Sequence, residues 1–462
     1  VSAVFLVTVN LIGFLKGYAI AAFLMPAELG VWGLLTITLG TLLWLGQIGV
    51  DDKYVQQDHA DQEVAFQVAF TLQAMLCAAF FAFIFLAMPL FALAYGNWDI
   101  LVPGYVLALG MPAIALQTPM WAFYRKMEFA KQRMLQAISP LVAAAVTVPA
   151  AIAGLGYWSL VVGTLAGSFA AAAAAVRASP YKIRLRYERG SLREYASFSW
   201  PLFLQSASAV LAVQIAILVA ARSLGTAAVG AIALASSLTV YANQVDDIVV
   251  HAIYPTICAV KDRTDLLFEA FTKSNRMALL WSVPLGTGVA LFADDLVHGV
   301  LGDKWGFAVL LIQVMAVSAA LYQVGFNWGA FYRARGETRP IAVAGVIALA
   351  CTLLIVAPLT IADGLTGYAI GSAITVVVAI VVRTYYLARL FPALRIISHS
   401  ARAIAPTLPA LAAVLAVRAG GSTSPLAELV LFVAVTAAGT LVAERALVSE
   451  FAAYFKRSAA AG

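Results

Sequence analysis

Ala122–Lys131 read AFYRKMEFAK, and Ala330–Arg339 read AFYRARGETR. The tetrapeptide AFYR thus occurs twice, 208 residues apart, and each copy closes a long apolar run and opens onto basic residues. In a bilayer this order marks a helix leaving the hydrocarbon on the side that collects lysine and arginine. A chain that leaves the membrane twice through the same residues is a candidate for internal duplication.

Composition supports the membrane reading. Hydrophobic residues make up 63% of the 462, charged residues only 11%, and the mean hydropathy is +0.92. A soluble domain carries about 25% charged residues, so this chain lacks the polar surface to face water on all sides. The net charge of +6 is spread between apolar runs, which fits membrane orientation better than nucleic-acid binding. Cys77, Cys258 and Cys351 lie far apart, as do His59, His251, His298 and His399, so neither a disulfide framework nor a metal site is expected. The chain is apolar from Val1 and carries no signal-peptide pattern, so its first span is expected to begin at or before that residue.

Fourteen apolar segments follow, at 3–24, 29–49, 64–92, 99–123, 134–154, 157–176, 197–221, 227–248, 271–293, 306–330, 340–361, 364–387, 403–418 and 425–443. Each needs about 20 apolar residues to cross. Each is expected to be a helix, because backbone polar groups in lipid must be satisfied within the segment. The ten-residue alternation of a β-barrel is absent. With a cytoplasmic N-terminus, 25 of the 29 lysines and arginines fall on the cytoplasmic side, Arg222, Lys304 and Arg418 fall outside, and Lys16 lies within a span. That asymmetry predicts a multi-pass plasma-membrane protein with both ends cytoplasmic. The densest basic loop, SPYKIRLRYERGSLRE at 179–194, reads as a positive-inside anchor against anionic lipid.

The duplication extends beyond AFYR. LMPAELG at 24–30 matches LGTAAVG at 224–230, GNW at 96–98 matches GDKW at 302–305, and Gly156-Tyr157 matches Gly367-Tyr368. The matches keep their order, and their offset drifts as loop insertions would make it. They predict an all-α polytopic membrane protein of about 14 helices. Residues 1–178 form a six-helix bundle, 179–195 a basic cytoplasmic linker, 196–390 a second six-helix bundle, and 391–462 two appended helices and a tail. Six spans is an even number, so the bundles are parallel repeats about a pseudo-two-fold axis along the membrane normal. Such paired bundles are an alternating-access transporter architecture. No phosphate-binding loop of the G-x-x-x-x-G-K-[ST] type is present, so ATP is not the expected energy source, and nothing suggests an enzyme.

LMPAELGVWGLL at 24–35, LGQIGVDDKYVQQ at 45–57, the stretch 125–165 with its GLGYWSLV turn, FSWPLFLQSASAV at 198–210 and LGDKWGFAVLLIQVMA at 301–316 resemble the polysaccharide flippases. These are the Wzx-type lipid-linked oligosaccharide translocases of the multidrug/oligosaccharidyl-lipid/polysaccharide (MOP) superfamily. The resemblance covers about residues 15–390 and departs from the family at Leu29, where an aromatic often precedes the glycine. It implies a MOP/MATE-like fold in the bacterial inner membrane. It also implies a lipid-linked oligosaccharide substrate on an undecaprenyl-pyrophosphate carrier, polysaccharide polymerase and glycosyltransferase partners, and no cofactor beyond a coupling proton or sodium ion. An ion-coupled multidrug or cation antiporter of the same superfamily is the alternative; it calls for a deep carboxylate, and the chain has a deep lysine instead. A non-transporting membrane scaffold fits poorly with a two-fold repeat and intramembrane polar residues.

An anionic head group crossing a low-dielectric core needs cationic and hydrogen-bonding groups. Lys16 lies about eight residues, or roughly 12 Å, from the outer end of the first span, too deep for easy snorkelling. Asn10 shares its helix. Lys273 and Arg276, three apart on one helix face, stand at the cytoplasmic start of the ninth span, as a gate for the pyrophosphate or as plain anchors. Arg222 is a candidate contact on the outer side, and Gln214, Asn243, Gln67, Gln323 and Asn327 are among the amides that could line a cavity or bond across helices. Asp51-Asp52 and Asp246-Asp247 end the equivalent second and eighth spans. They are candidates for ion coupling or for a cytoplasmic gate closed against Arg125, Arg333 or Lys53, or are solvated helix ends; Asp294 and Asp295 read as solvated.

Overall fold

The computed structural model describes residues 17, 20–45, 50, 54, 61–187, 210–259, 263–335, 337, 339–421 and 424–445; at positions 42–45, 129, 241, 243–256, 258 and 259 it describes the backbone alone. Every regular element among these residues is helical. Among the described residues, eight helices are long and apolar enough to cross a membrane, or nine if the bent pair Thr264–Leu291 and Ala293–Leu301 counts as one span. The chain divides into two compact units, Val1–Leu234 and Ala235–Gly462.

In the first unit, Gln62–Tyr95 is a helix of 34 residues. Its start is set by Asp61, whose carboxylate accepts from the backbone N–H groups of Glu63 and Val64 at 3.0 and 3.1 Å. The fourth segment, expected as one helix over 99–123, is interrupted. Trp98–Ala115 ends, and a separate helix, Pro119–Arg125, carries AFYR to the surface. Pro119 has no N–H to give to Ala115 O, and the ladder breaks there. Ala115 O instead accepts from Thr118 N at 3.2 Å and Thr118 Oγ1 at 2.7 Å.

Helix Pro26–Leu45 packs against the first turns of Thr226–Ala259. A Cβ built on Gly30 would lie 1.8 Å from Thr226 O, and one built on Gly230 would lie 1.9 Å from Pro26 O. A Cβ on Gly33 would meet Ala233 Cβ at 3.1 Å. Advancing from Gly30 to Gly33 on one helix advances the contact from Gly230 to Ala233 on the other, so the two run parallel. The contact is reciprocal across an offset of 200 residues, the offset of the LMPAELG/LGTAAVG match. Reciprocity of this kind places a local two-fold axis between Gly30 and Gly230.

The second unit repeats the interruption. Asp303–Tyr322 ends before Trp328–Ala334, which carries the second AFYR, so the segment expected over 306–330 is broken at the place equivalent to the first. Here the cause is Gly325, at φ +67°, a conformation disfavoured for residues with a side chain. Arg339–Cys351 and Ala357–Leu390 follow, joined by a wide turn at Thr352–Val356. The eleventh and twelfth segments meet without a loop at Gly364, whose φ of 65° and ψ of −139° turn the chain within the apolar stretch. Ile396–Ile404 leads into Leu408–Ala419, and Pro425–Ala443 closes the described helices. The core on the AFYR side is aromatic: Phe271, Phe331 and Phe391 lie 5.6–5.8 Å apart by ring centroid.

Candidate functional site

The sequence candidates fall into three groups. Lys16, Asn10, Asp51 and Asp52 lie outside the described residues. Asn243, Asp246 and Asp247 stand on Thr226–Ala259, where only the backbone is described. That helix continues beyond the aspartate pair to Ala259, so Asp246-Asp247 is not at a helix end as expected; IVVHAIYPTICA at 248–259 contains no Asp, Glu, Lys or Arg to mark a boundary.

The remaining candidates have visible partners. Gln214, on Val210–Leu224, ties three helices together. Its Oε1 accepts from Tyr95 Oη at 2.8 Å, and its Nε2 donates to Ile37 O at 3.2 Å and to Thr41 Oγ1. Thr38 Oγ1 lies 3.2 Å from Tyr95 Oη and completes the chain. Gln67 donates to Lys182 O at 3.3 Å, Thr71 Oγ1 accepts from Arg186 N at 2.6 Å, and Phe66 packs on Tyr181 at 5.6 Å. The basic segment after the sixth span is thereby laid along the start of Gln62–Tyr95.

The two AFYR copies are used differently. Arg125 is half-buried and donates to Tyr54 O at 3.2 Å, while Tyr124 is exposed. In the second copy Arg333 is exposed and Tyr332 is buried, donating to Tyr386 O at 2.8 Å. Burial, with Glu337 nearby, raises the Tyr332 phenol above its ordinary range.

Lys273 pairs with Glu269 on its own helix at 2.9 Å, with side-chain exposures of 43% and 59%. Such an exposed pair contributes about 0.3–0.5 kcal/mol. Its neighbours Ser274 and Asn275 are fully buried. Asn327 Nδ2 donates to Ser274 Oγ at 2.6 Å, Asn275 Nδ2 donates to Gln323 O at 2.8 Å, and His399 Nε2 lies 3.2 Å from Asn275 Oδ1. Gln323 and Asn327 flank the break in the tenth segment, so the network satisfies backbone that the broken helix releases.

Three arginines share a role that has no sequence signature. Arg222 donates to the carbonyls of Leu93 and Ala94, Arg383 to Tyr322 O, and Arg418 to Leu291 O. Each acceptor is a last-turn carbonyl of Gln62–Tyr95, of Asp303–Tyr322 or of Thr264–Leu291. Those carbonyls have no partner inside their helices, and they are the negative end of the helix dipole. Arg418 also binds Glu428 at 2.6 Å and Asp295, so Asp295 is a partly buried ion-pair member where a solvated residue was expected. Among the described residues no group of three His, Cys, Asp or Glu side chains could hold a metal ion.

Broken fourth and tenth spans, a parallel two-fold helix contact and polar networks inside apolar helices define an integral membrane protein of the transporter class. Solved structures share the fold. The lipid II flippase MurJ in its inward closed conformation superposes with a TM-score of 0.75 at 11% identity, covering 96% of this chain and 99% of that one. An inward-facing multidrug resistance MATE transporter of the MOP superfamily gives 0.66 at 14% identity, covering 84% and 96%. Residues 19–310 match the polysaccharide biosynthesis protein family, and the chain belongs to it. The succinoglycan biosynthesis transport protein ExoT of Rhizobium meliloti (strain 1021) is 23% identical over 344 residues, 71% of this chain and 69% of that protein. The lipopolysaccharide biosynthesis protein WzxC of Escherichia coli (strain K12) is 23% identical over 320 residues, 66% and 63%.

Proposed function

We propose that this protein flips a lipid-linked oligosaccharide, carried on an undecaprenyl pyrophosphate, from the cytoplasmic to the outer leaflet of a bacterial inner membrane during surface polysaccharide synthesis. The observation that carries the reading is the match of residues 19–310 to the polysaccharide biosynthesis family, with a flippase fold over 96% of the chain. Alternating access between two parallel bundles supplies the movement, and a proton or sodium gradient supplies the drive. Both chain ends are cytoplasmic in this reading. Glycosyltransferases deliver the substrate, and a polymerase takes the product.

Lys16 is the residue assigned to the pyrophosphate. A lysine near the midplane costs about 2.5–3.5 kcal/mol on insertion scales, which an anionic ligand offsets. In a strain lacking its own flippase, the wild-type chain is expected to restore surface polysaccharide. Lys16→Arg should retain that activity, and Lys16→Glu should fall to the level of the deletion strain while inserting normally. Full complementation by Lys16→Glu would remove Lys16 from the mechanism. Export of cationic drugs without restoration of polysaccharide would replace the flippase reading with an antiporter.

A further inference from the structure

Three arginines of the second unit, Arg276, Arg383 and Arg418, differ in what holds them. Arg383 and Arg418 donate to backbone carbonyls at helix ends, Tyr322 O and Leu291 O. Those acceptors cannot leave without unwinding a turn. Arg418 also holds the carboxylates of Glu428 and Asp295, whereas the partner seen for Arg276 is a carboxylate alone. Its Nη1 meets Oε2 of Glu444 at 3.3 Å, and its Nε is buried without an acceptor among the described residues. A guanidinium offers five N–H donors in a planar fork, and here a single nitrogen reaches the carboxylate.

Glu444 is no better served. It is 9% exposed and follows Pro425–Ala443 at the C-terminal cap, where its backbone N–H bonds Thr440 O at 2.9 Å. A carboxylate at that end faces the negative pole of the helix dipole. Two groups are therefore paired across 168 residues of sequence in a contact that neither one's local structure favours. The pair sits at the cytoplasmic end of the ninth span by the charge pattern of the chain, where Arg276 was a candidate to receive a pyrophosphate. A diphosphate ester presents oxygens at the spacing that a guanidinium fork binds bidentately, which one oxygen of a carboxylate does not.

We infer that Glu444 is an internal anion occupying Arg276 until the diphosphate of the lipid-linked substrate displaces it, so that this carboxylate sets the affinity with which substrate is taken up. The inference rests on the flippase reading above. It makes Glu444 a specificity-determining residue, since a weaker anion such as a phosphodiester head group gains less from the exchange.

The test uses the full chain in phosphatidylcholine nanodiscs, titrated with undecaprenyl diphosphate and, in a separate arm, with phosphatidylglycerol. Glu444→Gln is expected to bind the diphosphate lipid about five- to tenfold more tightly, the scale of one ordinary net hydrogen bond no longer competing, while its melting temperature falls. A purely structural role would move both in the damaging direction. Arg276→Gln alone strands a buried carboxylate and can misfold, so the cycle is closed with Arg276→Gln/Glu444→Gln, which should lose the gain. Arg276→Lys/Glu444→Gln should keep only part of it.

Unchanged or weaker diphosphate binding by Glu444→Gln would overturn the inference, as would a gain that persists in the double variant. An equal gain for phosphatidylglycerol would also overturn it, since the site would then read any anionic lipid. Those failures leave flipping intact if the wild type binds the diphosphate and restores polysaccharide. Absence of both would overturn the function reading and this inference together.

Discussion

Gly30→Ala and Gly230→Ala are each expected to destabilise the purified protein by about 3 kcal/mol, the upper end of overpacking costs, and the double substitution by little more than either alone. The added Cβ would stand 1.8 Å from Thr226 O in one case and 1.9 Å from Pro26 O in the other, and both obstacles are backbone. A side chain in the way could rotate; a carbonyl inside a helix cannot, so the two helices must separate. Once the first methyl has separated them, the second meets less resistance. Substitutions that relieve or strain one shared contact are non-additive in this way. Gly40→Ala serves as the control, because nothing lies within 4 Å of its built Cβ and alanine is the better helix former. Thermal unfolding of detergent-purified protein, followed by loss of the monodisperse peak, reads all four. Costs for Gly30 and Gly230 that simply add would show that the two glycines do not face one another, and the local two-fold axis would go with them.

The same glycines show how far the sequence could be read. LMPAELG and LGTAAVG share only leucine, alanine and glycine, yet their offset of 200 residues is the register of the contact. Close helix packing in lipid demands small residues at fixed positions, and that demand leaves a trace in one chain. The breaks in the fourth and tenth spans lie at Pro119 and Gly325, inside runs that hydropathy alone reads as single segments over 99–123 and 306–330. What the sequence does not carry is the identity of an acceptor. Arg222, Arg383 and Arg418 bond to backbone carbonyls, which every residue possesses, so no residue type at any spacing announces them. Glu444 is equally silent: it lies 168 positions from Arg276, beyond the twelve spans that the repeat explains.

Arg418→Met should be the most damaging single change in the appended helices, costing about 3 kcal/mol, the lower end for stranding a buried charge because part of the cluster touches solvent. The guanidinium joins three things at once. It binds Glu428, whose side chain is 5% exposed, on Pro425–Ala443; it binds Asp295, just past Thr264–Leu291; and it donates to Leu291 O at 3.2 Å. Its carbon centre also lies 5.2 Å from the Phe292 ring centroid, a cation–π contact. Methionine keeps much of the apolar stem and removes every donor. Two carboxylates are then left near each other, one of them with almost no water. Neutralising them tests that cause directly: Arg418→Met/Asp295→Asn/Glu428→Gln should recover most of the loss, because the penalty comes from the stranded charges and not from the missing bonds. Melting temperature and expressed yield report both steps. A triple variant as damaged as the single one would assign the loss to the Leu291 carbonyl and the bend at Phe292. In that case Arg418 would matter as the cap of the ninth span, as Arg222 does for Gln62–Tyr95.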